Sequence, residues 1–79
     1  MTSEECLDKL KGTKDGAIEF LKCLKEHDIL IYWNKAWKLI ARSKSGRQGS
    51  WKSYMEYVMA ILEINSKEDW ERIKGKYGL

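Results

Sequence analysis

A chain of 79 residues has room for one domain. A body that small buries a modest share of its surface, so its expected stability lies at the low end of about 5–15 kcal/mol. It has no proline and 34% charged residues, alongside four Trp, four Tyr and one Phe, which suits aromatic-cored helices and excludes the turn-rich small barrel or sandwich. The net charge of +3 is unevenly placed: residues 29–55 carry six bases and no acid, while the flanking segments are mixed.

In chain order, Thr2 and Glu5 have the spacing of a capping box and open a short helix with Cys6, Leu7 and Leu10 on one side. Gly12 is its natural stop. Thr13 can cap the next helix, Asp15 suits its positive end, and Gly16 costs it some propensity. Ala17, Phe20, Leu21 and Leu24 recur at i, i+3, i+4, i+7, which predicts an amphipathic helix over residues 14–26. Asp28 is a fair cap for a third helix. Ile29 to Ile31 favour strand by propensity, yet Ile29, Trp33, Ala36, Trp37 and Ile40 recur at helical spacing, and helix is the reading adopted. It would be apolar over more than half its circumference, with Lys35, Lys38 and Arg42 on another side, and central to the fold.

Residues 43–49 form the one clear loop, basic, glycine-containing and flexible. Ser50 can cap a fourth helix, whose stripe is Trp51, Met55, Val58, Met59 and Leu62. Ser66 with Asp69 resembles a capping box and starts a short final helix with Trp70 and Ile73 inward, ending at Gly75. The expectation is an all-α helical bundle, a single domain of about five helices over residues 3–11, 14–26, 29–42, 51–63 and 67–75.

Cys6 and Cys23 lack the spacing of a zinc motif. They read as two small apolar core residues in a reduced compartment, with a disulfide between the first two helices as the alternative. No apolar run approaches the roughly 18 residues of a membrane span. The acidic N-terminus lacks a signal-peptide pattern, so a soluble, intracellular and cytoplasmic protein is expected.

Little suggests catalysis. His27 is the only histidine, and although it stands i+4 from Cys23, it reads as a helix-end residue beside a core cysteine. Glu68, Asp69 and Glu71 read as charges at a helix start rather than as a metal site. The run Ser45 to Gly49 lacks phosphate-loop spacing. No enzyme activity, cofactor, metal or small-molecule substrate is expected, and no membrane partner.

The surplus of Tyr32, Trp33, Tyr54, Tyr57 and Met59 beyond core needs points to a small protein-interaction or regulatory module, an adaptor or inhibitor, self-association included. The alternative is nucleic-acid binding through the 35–52 segment. There Lys35, Lys38, Arg42, Lys44, Arg47 and Lys52 would meet phosphates while Trp33 or Trp51 stacks on bases. No motif names a family. The stretch Leu7 to Leu10 with Gly16 to Leu24 resembles the late helices of caspase-recruitment domains, and no function is carried over from that resemblance.

Overall fold

Helix α1 (Lys14–Glu26) is the element against which the N-terminal 3-10 helix, the first strand and the second helix pack. Thr13 is extended, and its Oγ1 accepts from the Gly16 amide at 3.1 Å, which satisfies one of the helix's orphan donors. Gly16 has a packing reason that propensity does not show. A Cβ there would stand 2.9 Å from the Lys11 amide nitrogen and 3.0 Å from Lys11 Cβ, so only glycine lets the preceding segment lie against the first turn. Ala17, Ile18, Phe20, Leu21, Cys23 and Leu24 form the buried face.

The computed structural model describes residues 3–43 and 51–79. In chain order it has a 3-10 helix (Ser3–Lys9), α1, strands β1 (Ile29–Asn34) and β2 (Lys38–Ser43), and helices α2 (Lys52–Leu62) and α3 (Lys67–Tyr77). This is an α+β arrangement, and it corrects the expected all-α bundle of five helices. The first predicted helix is a 3-10 helix ending at Lys9, and the predicted central helix at 29–42 is an antiparallel hairpin. Among the described residues, no helix is long and apolar enough to cross a membrane.

The hairpin explains the misreading. Its register pairs Ile29 with Ser43, Ile31 with Ala41 and Trp33 with Leu39 on one face. On the other face Leu30 pairs with Arg42, Tyr32 with Ile40 and Asn34 with Lys38. Ile29, Leu39 and Ala41 are buried in the core, with Ile31 and Trp33 packed against it. Strand β1 lies against α1, and β2 against α2. Both faces carry apolar residues, so the alternation of period two is masked and a helical stripe can be drawn through the same letters. The turn carries no glycine. Asn34 Oδ1 instead accepts from the amides of Ala36 (2.8 Å) and Trp37 (2.9 Å), and Lys38 takes a left-handed conformation, φ 67°. Asp28, read as a helix cap, is another left-handed joint at φ 62°, and the chain passes through it into β1.

The rest of the core comes from α2 and α3. Met55, Val58 and Leu62 of α2 are buried, as are Ile64 and Trp70. Trp51 closes an aromatic cluster: its ring is 5.9 Å from those of Phe20 and Tyr54, which are 6.3 Å apart. Tilted ring pairs like these contribute about 0.5–1.5 kcal/mol beyond their area. Ser66 caps α3, its Oγ accepting from the Asp69 amide at 3.1 Å, while Asp69 Oδ2 accepts from the Asn65 amide at 2.9 Å. Helix α3 runs through Gly75 to Tyr77, and its left-handed cap is Gly78 rather than Gly75. Lys25 Nζ donates to the Leu79 carbonyl at 2.9 Å, which ties the end of α3 to α1.

Cys6 and Cys23 are joined by a disulfide across 17 residues, the arrangement held above as the alternative. The predicted loop at 43–49 begins at Ser43, which ends β2; its remainder lies outside the described residues, as do Thr2 and the predicted cap Ser50.

Candidate functional site: the hairpin tip and helix α2

The hairpin turn projects Lys35, Ala36 and Trp37 away from the core, all three exposed. Trp37 is 59% exposed, the highest value among the large hydrophobic side chains of the described residues. Burying such a ring would remove roughly 150–250 Å² from water, so leaving it outside forgoes a large stabilisation in a small chain. The Asn34 turn points the backbone outward here, and the ring follows.

Helix α2 supplies the facing wall. Lys52, Glu56, Met59 and Ala60 recur at i, i+4, i+7 and i+8, so they share one side of the helix. With Ala36, Trp37 and Lys38 of the hairpin, and Ile64 and Asn65 after α2, they line an open groove of about 400 Å³. Met59, Ala60 and Ile64 give it apolar lining, and Lys38, Lys52, Glu56 and Asn65 give it polar lining. Lys52 Nζ stands 4.7 Å from the centre of the Trp37 ring. This cation–π contact contributes about 0.5–1 kcal/mol at an exposed position and orients the indole.

The residues singled out from the sequence are distributed as follows. Lys35 sits in the turn, Lys38 and Lys52 reach the groove, and Arg42 is half-buried on the outer hairpin face, sharing it with Lys38. Lys44 and Arg47 lie outside the described residues. Trp33 packs against the core, and Trp51 is 8% exposed within the aromatic cluster. Neither tryptophan offers the open face that stacking on a base requires. The aromatic that does is Trp37, which helical spacing had assigned to a buried stripe. The signal for it was Asn34, a turn-former set between two apolar runs. Leu30, Tyr54 and Tyr57 are the other exposed large apolar side chains.

The Asp69 carboxylate accepts from the backbone amide of Asn65, a groove-lining residue, and so serves the structure behind the groove. The Asn65 amide, then Arg72 at 3.3 Å and the Ser66 hydroxyl, hold its pKa below the usual 3.8. Comparison with family models, curated proteins and solved structures finds no match.

Proposed function

We propose that this chain is a non-enzymatic protein-interaction module that engages its partner at the hairpin tip, with Trp37 as the anchor. One observation carries the reading: a tryptophan 59% exposed beside an open groove lined by both apolar and charged side chains. Interfaces concentrate their energy in a few aromatic and Arg anchors, ringed by polar groups that exclude water. Glu56 on the rim favours a protein partner over a polyanion, since a carboxylate beside the groove repels phosphate.

The test is to select binding peptides from a random library against the full chain and to measure each on wild type and Trp37→Ala. Binders should lose at least about tenfold in affinity, roughly 1.4 kcal/mol, while the variant stays folded. A library that yields no Trp37-dependent binder overturns the reading.

A second reading rests on the same tip. Lys52 lies against an indole open to solvent, Lys38 lines the same groove and Lys35 sits in the same turn, a combination suited to holding single-stranded nucleic acid by charge and stacking. Titrating single-stranded and duplex oligonucleotides at low and moderate salt separates the two readings. Salt-sensitive binding that is weakened in Lys38→Ala/Lys52→Ala favours nucleic acid, and no binding at low salt removes it.

A further inference from the structure

Two cysteines brought together by folding can end as a crosslink or as a pair of metal ligands, and a third donor separates the cases. Cys6 comes from the 3-10 helix and Cys23 from the last turns of α1, with their Cα atoms 5.5 Å apart. His27 follows Cys23 by four residues and caps the C-terminus of α1. That spacing puts two donors on one side of a helix, as in helical sites where paired ligands at i and i+4 reach one ion. Here the third donor is present: both sulfurs and a ring nitrogen of His27 lie within 4.8 Å of one another.

Two thiolates and an imidazole are a donor set that Zn²⁺ prefers, at about 2.3 Å to sulfur and 2.0–2.1 Å to nitrogen. Ligand atoms on one tetrahedron of that size stand about 3.3–3.8 Å apart. The sulfurs would need to part and the imidazole to move inward by an ångström or so, within the reach of side-chain rotation. Cys6 is fully buried and Cys23 is 6% exposed, so the sulfurs face little water, while half-buried His27 leaves one side open to a fourth ligand.

We propose that the reduced form of this chain binds one thiophilic divalent cation, Zn²⁺ in the first instance, through Cys6, Cys23 and His27, and that the disulfide is its metal-free form. A dithiol reductant supplies the two electrons. Its own thiols close to a disulfide, the Cys6–Cys23 bond breaks, and each sulfur takes one proton. The cation then displaces those two protons to solvent and accepts an electron pair from each thiolate and from one imidazole nitrogen. Oxidation of the thiolates by a disulfide-containing oxidant reverses this and releases the ion. The site is thereby a redox-gated one, independent of the groove at the hairpin tip.

The experiment titrates the full chain with Co²⁺ and then Zn²⁺, in oxidised form and after reduction by a phosphine. Reduced wild type should take up one Co²⁺ per chain with a thiolate-to-cobalt charge-transfer band, which Zn²⁺ bleaches, and the oxidised chain should show neither. His27→Asn keeps the cysteine pair intact and should weaken binding by more than about tenfold. Circular dichroism on the same samples covers the case in which reduction loosens the fold: Zn²⁺ should then restore helix in wild type at concentrations where it does not in His27→Asn. Equal affinity in His27→Asn, or no uptake by the reduced chain beyond that of Cys6→Ser/Cys23→Ser, overturns the proposal.

Discussion

The N-terminal layer and the hairpin tip make opposite use of the same kinds of residue. Around α1, Phe20, Leu21, Leu24 and Trp51 are buried, and a disulfide holds the 3-10 helix against them. At the tip, Trp37 and Lys35 stand in solvent on a turn held by two hydrogen bonds to Asn34, with Lys38 beside them and Lys52 facing them from α2. A chain with little apolar surface to spare has put a tryptophan where it does least for stability. The contrast separates a region whose side chains are given over to burial from one whose side chains are left to solvent, and mutations should separate them too.

The largest effect is expected in the packed layer. Phe20 is fully buried between Trp51 and Tyr54, and Phe20→Ala should cost about 3–5 kcal/mol, most of the expected stability, read from a denaturant titration extrapolated to water. The crosslink comes next. Closing 17 residues restricts the unfolded chain, and Cys6→Ser/Cys23→Ser should lower stability by about 3 kcal/mol, read as a drop in the midpoint of urea unfolding.

Two glycines give a comparison within helices. Gly16→Ala should destabilise by about 1–3 kcal/mol despite alanine's better propensity, because its methyl meets the Lys11 backbone. Gly75→Ala, in α3 with open space around it, should raise stability by about 0.5–1 kcal/mol. Thermal melts of the two variants should move in opposite directions.

A smaller difference depends on pH. The Asp69 pKa is lower in the fold than the usual 3.8, so its contribution is full above that value and fades as pH falls through the depressed one. Wild type should therefore lose stability on acidification below 3.8 more steeply than Asp69→Asn. A small effect belongs to the tip: Trp37→Ala should cost no more than about 1 kcal/mol, its contact with Lys52 included, in the same measurement that finds Phe20→Ala severe. A large loss there would dissolve the contrast between the regions.

Much of the helical fold was legible. Helix α1 falls at the bounds its stripe predicts, and Thr13 and Ser66 cap as their positions suggest. These signals are local, set by neighbours within one turn. The hairpin was not legible because its evidence is shared between two strands. Apolar residues on both faces concealed the alternation, and the hairpin's left-handed joints fall on Asp28 and Lys38, neither a glycine that would have marked a turn. The candidate site inherited that error. Read as a helix, residues 29–42 place Trp37 inward with Trp33; read as a hairpin, Trp33 packs inward and Trp37 caps an exposed turn. The disulfide likewise depends on a meeting of two elements that spacing alone left open.

The uneven sheltering of the four indoles has an optical consequence. Trp51 and Trp70 are buried, Trp33 leans on the core, and Trp37 meets water beside Lys52. A charged quencher dissolved in the medium dims the exposed ring first and leaves the packed ones bright, and cationic neighbours draw iodide toward it more than caesium. The molecule thus carries a built-in fluorescent gauge at the place where a partner would dock, and no label need be attached to watch it.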